Sequence, residues 1–316
     1  MRRKIIMIGE CVLDVLFEGN QPQRSFVGGR IANAGASLAQ TGLDVAMVSE
    51  CATDRVGDII IDFLQKKCVD THSVDRFADG KTALSAIFSG GSETMSRIVN
   101  YGVYPDERFD VVWPRIDQDD IVIFGSLYGV ENSLRERLMD LLTHCVERHA
   151  IIIYLPGFQH GLNVRITHVM PAILENLEIS DFVITHQNDV NQIFPGESGE
   201  EAYHNHIEFY CHNHLHISQD FSTTLYYKGA YQNSPAPARE VRNSLGWQAG
   251  IIAGLAFAII SNGFTKTDIS ALSNAQWQNV LNEAITWAKE GESHDDNCVG
   301  ADFAKEKKVQ LLTDIQ

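Results

Sequence analysis

The sequence predicts an α/β fold: a mostly parallel sheet with helices on both faces plus a small β lid, in one domain across residues 1–316. Three observations carry that expectation. Short β-rich runs alternate with helical patterns along most of the chain, as parallel strands joined by crossover helices require. Two stretches, at about 10–28 and 80–100, interrupt the alternation and mark the lid segments. The chain has 316 residues, 44% of them hydrophobic, and shows no internal repeat or inter-domain linker.

KIIMIG (4–9) is a β-rich run ending on glycine, so it opens the sheet. GRIANAGASLAQTG (29–42) is a small-residue helix stopped by Gly42. VAMVSE (45–50) is a strand, and DRVGDIIIDFLQKKCV (54–69) carries apolar residues at helical spacing. ALSAIF (83–88) and MSRIVN (95–100) flank SGGSE and predict a hairpin. The alternation resumes with DIVIFG (120–125), a charged helix over 131–148, AIIIYL (150–155), a helix near 167–177 and DFVITH (181–186) followed by a further helix. HLHIS and TTLYYK predict strands, and helices follow near 248–261 and 274–290. The stretch NSLGWQAGIIAGLAFAII (243–260) places a turn before an apolar helix, whose first N–H groups suit an anion. It contains no carboxylate, lysine or histidine.

The net charge of −16, from 41 acidic and 25 basic residues, argues against a nucleic-acid partner. A phosphorylated small ligand stays compatible, because a pocket can differ in sign from the whole surface. Six dispersed cysteines (Cys11, Cys51, Cys68, Cys145, Cys211 and Cys298) without a CxxC pair predict buried, reduced thiols and a cytoplasmic protein. The opening MRRKIIMIGECVLDVLF resembles a signal peptide, but Glu10 and Asp14 interrupt its apolar run and no small-residue cleavage site follows. A buried first strand is expected instead. The apolar run Ala249–Ile260 is shorter than the ~18–20 residues that span a bilayer, which predicts a core helix and no membrane partner.

GECVLD (9–14), VGGRIANAGASLAQTG (27–42) and DRVGD (54–58) together resemble the N-terminal half of ribokinase-like (PfkB-type) carbohydrate kinases. That family reads GE-x-x-x-D, GG-x-x-x-N-x-A and a D-x-x-G helix start. Its late signature, D-T-x-G-A-G-D before a buried helix, falls on NSLGWQAG (243–250). The resemblance covers nearly the whole chain. It implies a sugar held between an α/β core and a β lid, with ATP, usually assisted by Mg²⁺, near the late motif. Phosphoryl transfer on such a site rests on positioning and charge stabilisation.

On the sugar side the resemblance implies that Asp14 accepts hydrogen bonds from sugar hydroxyls. Gly28 and Gly29 fall on the paired glycines that let a ligand approach the backbone, and Asn33 on an amide that both donates and accepts. On the phosphate side the motif decays. Gly246, Trp247 and Gln248 fall on the anion-hole positions, and Asn243 and Ser244 replace the first aspartate and the threonine. The general-base aspartate is Ala249, and a methyl group takes no proton. FDPN becomes YLPG (154–157), and N-x-x-E becomes His186…Asp189, a poor pairing for hard Mg²⁺. The glycines framing the nucleotide are lost in SQDFSTT (218–224). Neither Glu240 nor Asp220 lies at the helix start as a replacement base.

The histidines His204, His206, His212, His214 and His216, with Cys211, have the density of a transition-metal site, although a helix-to-strand join explains them as well. If 212–216 is extended, its three histidines share one face. Trp277 and Trp287 are expected in the core, Asp295 and Asp296 in a polar loop, with no metal site assigned. The resulting expectation is a PfkB-type homologue that binds a sugar or nucleoside but is catalytically impaired, a pseudokinase without resident cofactor. The alternative is an active kinase using ATP and Mg²⁺ with a non-standard base. A homodimer through an exposed lid edge is a further expectation.

Overall fold

The computed structural model describes residues 3–89, 96–100, 102–106, 108–157 and 165–313. The strands are β1 (Lys4–Ile8), β2 (Val12–Glu18), β3 (Gln21–Gly28), β4 (Asp44–Ala52), β5 (Val74–Phe77), β6 (Leu84–Ser89) and β7 (Ser96–Asn100). They continue as β8 (Ile121–Gly125), β9 (Ile151–Leu155), β10 (Phe182–His186), β11 (His214–Ile217), β12 (Thr223–Tyr227) and β13 (Ala230–Ser234). The helices are α1 (Arg30–Ala39), α2 (Arg55–Lys66), α3 (Arg135–Glu147), α4 (Ile166–Ile179), α5 (Gln187–Ile193) and α6 (Gly199–Ala202). After these come α7 (Ser244–Ser261), α8 (Lys266–Ile269), α9 (Asn274–Gly291) and α10 (Ala301–Thr313).

Nine strands form one sheet in the order β13-β12-β11-β10-β9-β8-β1-β4-β5, parallel from β11 to β5 and antiparallel at β12 and β13. In β1, Ile5, Ile6, Met7 and Ile8 are all inaccessible, as befits a parallel strand covered on both sides. Alternation sends Ile5, Met7, Ile121 and Ile123 into a core shared with α1, α7 and α9. Ile6, Ile8, Val122 and Phe124 enter a second core under α3 and α4. The remaining four strands form the lid sheet, in the order β3-β2-β6-β7. The predicted hairpin is β6 paired antiparallel with β7, and its turn lies outside the described residues.

From β1 the chain runs outward through β4 to β5, then returns to β8 on the other side of β1. This reversal makes a crevice at the carboxyl ends of β1 and β8, the position where open α/β sheets bind ligands. The lid segments join there. Asp54 caps α2 by accepting from Gly57 N at 2.8 Å, and its carboxylate also holds Thr82 N at 2.9 Å and Thr82 Oγ1 at 2.7 Å, just before β6.

α7 is apolar all round because it is enclosed. It is long and apolar enough to cross a membrane, yet it lies mostly buried in the core. Gly246, Gly250 and Gly254, one turn apart, let its backbone touch α9. A Cβ on Gly250 would lie 2.6 Å from Ala288 Cα, and one on Gly254 2.6 Å from Ala284 Cα.

Several expectations need correction. α7 begins at Ser244 rather than near 248, because Asn243 caps it. β5 and β13 give no signal in the sequence, because both are short and carry polar residues without an apolar run. α10 likewise gives no signal, because ADFAKEKKVQLLT lacks a clear apolar stripe. Five cysteines are buried, but Cys68, just past α2 at φ 67°, is exposed.

Candidate functional site

The four residues expected to hold a sugar meet beside the carboxyl end of β1. Asp14 on β2 is 1% exposed and accepts a hydrogen bond from Ser85 Oγ of β6. Gly28 ends β3 opposite Val12, and any Cβ there would overlap the Asp14 carboxylate. Gly29 has φ 112° and lies against the Glu10 carbonyl, so it is doubly suited to glycine. Asn33, one turn into α1, is 2% exposed and its Oδ1 has no hydrogen-bond partner among the described residues. Unpaired buried polar atoms are a small minority in folded proteins, and each calls for an explanation.

At the start of α7 the geometry is that of a closed cap. Asn243 Oδ1 accepts from Gly246 N at 3.1 Å, and the Asn243 carbonyl accepts from Trp247 N at 3.0 Å. Asn243 Nδ2 donates to the His294 carbonyl at 2.9 Å and to Asn297 Oδ1 at 2.8 Å. The N–H groups at two of the three anion-hole positions, Gly246 and Trp247, are therefore engaged within the protein, and an anion here would meet Ser244 and Leu245 first. The Trp247 ring is 1% exposed and packs edge-on against Phe221 at 5.7 Å. Phe221 belongs to the turn within 218–224, where the family resemblance leads us to expect glycines. That turn bonds to itself, with Asp220 Oδ1 accepting from Ser222 N at 3.0 Å and Ser222 Oγ at 2.7 Å. Ala249 is inaccessible.

Gln248 points to a contact that the sequence does not disclose. Its Oε1 accepts from Arg30 Nη1 at 3.1 Å, and the same nitrogen donates to Asp189 Oδ2 at 3.1 Å. Arg30 Nη2 reaches Asp189 Oδ1 at 3.4 Å. Asp189 Oδ2 also accepts from His186 N at 2.9 Å, closing a capping box on α5. The starts of α1, α5 and α7 are thus tied together by one guanidinium. Gly157, after β9, makes room for it, since a Cβ there would strike Arg30 Nη2. An arginine at the first position of a helix opposes the helix dipole, and that is the signal in the sequence that marks Arg30 as having another task.

These residues do not fit Mg²⁺. Both oxygens of Asp189 are committed to Arg30, and His186 Nδ1 accepts from Asn188 N at 3.1 Å. Among the described residues no group of three or more His, Cys, Asp or Glu side chains could hold a metal ion.

The wall at the end of β4 carries a second buried pair. Glu50, 2% exposed, is ion-paired with Arg108, whose Cζ lies 3.9 Å from the centre of the Tyr104 ring. Burial lowers the pKa of Arg108, but the Glu50 carboxylate outweighs it and holds the guanidinium charged.

His214 and His216 do share one face of β11, as alternation predicts. Thr185 of β10 lies between them, 2.7 Å from His214 Nε2 and 2.9 Å from His216 Nδ1. Gln187 fixes the direction of this chain. Its Nε2 donates to Asn191 Oδ1 at 2.9 Å and the Glu197 carbonyl at 3.0 Å, so its Oε1 must accept from His216 Nε2 at 3.1 Å. Thr185 then donates to His216 Nδ1 and accepts from His214 Nε2. Both rings are neutral. Burial, aided by neighbouring His186, pulls His216 from 6.5 to about 4, and burial takes His214 well below its ordinary value.

The unfolded chain therefore takes up protons below pH ~6.5 while the folded one resists until about 4, so stability falls as pH drops through that window. His216 alone contributes roughly 3 kcal/mol of this loss. Urea unfolding between about pH 7 and pH 5 should show the decline, and His216→Gln should lessen its slope while leaving the part due to His214. A flat wild-type profile would refute the neutral pair.

A pfkB family carbohydrate kinase model matches residues 2–262. A putative sugar kinase of Pyrococcus horikoshii, PH1459, is 26% identical over 147 residues, covering 44% of this chain and 47% of that protein, about half its length. Its structure in complex with ATP superposes with a TM-score of 0.75 at 16% identity over 97% of this chain and 99% of that one. Aminoimidazole riboside kinase from Salmonella enterica, complexed with aminoimidazole riboside and an ATP analog, gives 0.75 at 16% identity over 99% and 100%. Fructokinase from Xylella fastidiosa with bound ATP gives 0.78 at 16% identity over 100% and 99%. The likenesses of structure establish the ribokinase-like fold. With the family match across the sugar side and the start of α7, they place this chain in the pfkB family of carbohydrate kinases.

Proposed function

We propose that this chain binds a sugar or nucleoside at Asp14, Gly28, Gly29 and Asn33 but transfers phosphate feebly or not at all. One observation carries the reading: the residue one turn into α7 is the inaccessible Ala249, and the neighbouring Gln248 is bonded to Arg30. Loss of a general base costs about 10²–10⁴-fold in rate. The alternative, an active ATP-dependent kinase with a non-standard base, draws support from Asp189. Its Oδ2 and Gln248 Oε1 accept from the same nitrogen, each at 3.1 Å. Both oxygens of that carboxylate are nevertheless bonded to Arg30. The same reading has the protein act in the cytoplasm and pair through the lid, whose sheet ends in β3 and β7.

Calorimetric titration with a panel of sugars and nucleosides, alongside an ADP-release assay with Mg-ATP, tests the reading. A sugar or nucleoside should bind, Gly28→Ala should abolish that binding, and ADP release should stay near background. Ala249→Asp should not restore turnover, because Trp247, Gln248 and the altered turn at 218–224 remain. Turnover restored by that single change would show the phosphate side to be largely intact.

A further inference from the structure

We infer that Arg30 takes the place of a divalent cation in this cleft, so that the protein holds a terminal phosphate group through a guanidinium and without metal. The inference concerns the same cleft as the reading above, but metal-free phosphate binding tests it, whereas sugar binding and turnover test the other.

A guanidinium carries five N–H donors. Three of those on Arg30 are taken: two on Nη1, by Asp189 Oδ2 and Gln248 Oε1, and one on Nη2, by Asp189 Oδ1. The Nε–H and the second Nη2–H lie parallel along the other edge, with no acceptor among the described residues. The Arg30 side chain as a whole is 13% exposed. Two parallel donors on one edge match two oxygens of a phosphate, the geometry for which arginine surpasses lysine.

The surroundings favour the same ligand. Arg30 opens α1, whose N-cap Gly29 offers no side chain to the first-turn N–H groups. Asn33 lies three residues along the same helix, where side chains are neighbours about 5–6 Å apart at Cβ. Its Oδ1 is buried without a partner. One molecule carrying both a phosphate and hydroxyl groups would therefore engage both residues. Such a phosphate comes from a sugar phosphate or from the end of a nucleotide.

Asp189, 6% exposed, is the built-in counter-ion that an entering dianion must share or displace. This gives opposite signs for the two kinds of site. If Arg30 binds the phosphate, removing the Asp189 charge strengthens binding. If a metal ion binds it, removing that carboxylate weakens binding.

Calorimetry on the full chain with inorganic phosphate, ribose 5-phosphate and ATP, each in Mg²⁺ and in EDTA, decides the matter. At least one probe should bind equally well in both buffers. Arg30→Gln should weaken that binding at least ~10-fold, the loss expected for charge-assisted hydrogen bonds. Asp189→Asn should tighten it several-fold, and this variant keeps the test open if Arg30→Gln fails to fold. Ribose 5-phosphate binding more tightly than ATP would identify a sugar phosphate, and the reverse a nucleotide. Binding that needs Mg²⁺, weakening in Asp189→Asn, or no binding of any probe would each overturn the inference.

Discussion

Gly250→Val is expected to leave little folded protein. A Cβ at this position meets Ala288 Cα at 2.6 Å and the Trp287 carbonyl, and both are backbone atoms of α9. A flexible side chain could swing aside, but a helix backbone cannot, so α7 and α9 would have to separate along their contact. Ordinary overpacking costs about 1–3 kcal/mol. Here the whole helix pair must shift, opening the core that contains Phe257, Trp287 and Leu281, and the cost should exceed about 4 kcal/mol. Against a total stability of about 5–15 kcal/mol that is a large fraction. Thermal melting followed by circular dichroism should show the midpoint lowered by roughly 10 °C or more, or the protein lost to the insoluble fraction. Gly250→Ala should change it in the same direction by less. A valine variant that melts within a few degrees of wild type would mean that the two helices are farther apart than described.

Arg108→Ala should be nearly as damaging, for an electrostatic reason. The Glu50 side chain is fully inaccessible, and without its guanidinium partner it becomes an uncompensated buried charge. Breaking such a pair costs about 3–5 kcal/mol. Lost contacts to Ser133 Oγ, at 2.8 Å, and to the Tyr104 ring add to this. Urea unfolding near neutral pH measures the loss. Because Glu50 can become neutral by taking a proton, the penalty should shrink as pH falls, and adding Glu50→Gln to Arg108→Ala should recover part of it. A double variant no more stable than Arg108→Ala alone would show that packing, rather than unpaired charge, dominates.

What was legible in the sequence followed the range of the interactions. β1, β8 and β9 are continuous apolar runs buried on both faces, so their pattern is local. β5 and β13 are held mainly by their neighbours in the sheet, and four or five mixed residues carry no periodic signature. Asp14 and Gly28 are marked in the sequence only by the family motifs they fall on, and the β2–β3 hairpin is what brings the two together. The Arg30, Asp189 and Gln248 cluster was not legible, since its members are 159 and 218 residues from Arg30 and meet only when three helices converge. The alternating histidines disclosed a shared face of β11, but Thr185, which settles their protonation, stands on the adjacent strand.

The glycine-lined contact of α7 with α9 also bears on the mechanics of the cleft. A helix pressed backbone to backbone against its neighbour has no slack, so the start of α7 is carried by the helical layer as a fixed jaw. The lid is a separate four-stranded sheet, joined to the body through short connections such as the Asp54–Thr82 tie. The cleft is thus bounded on one side by a helix pair locked backbone to backbone and on the other by a thin sheet that meets the body at Thr82.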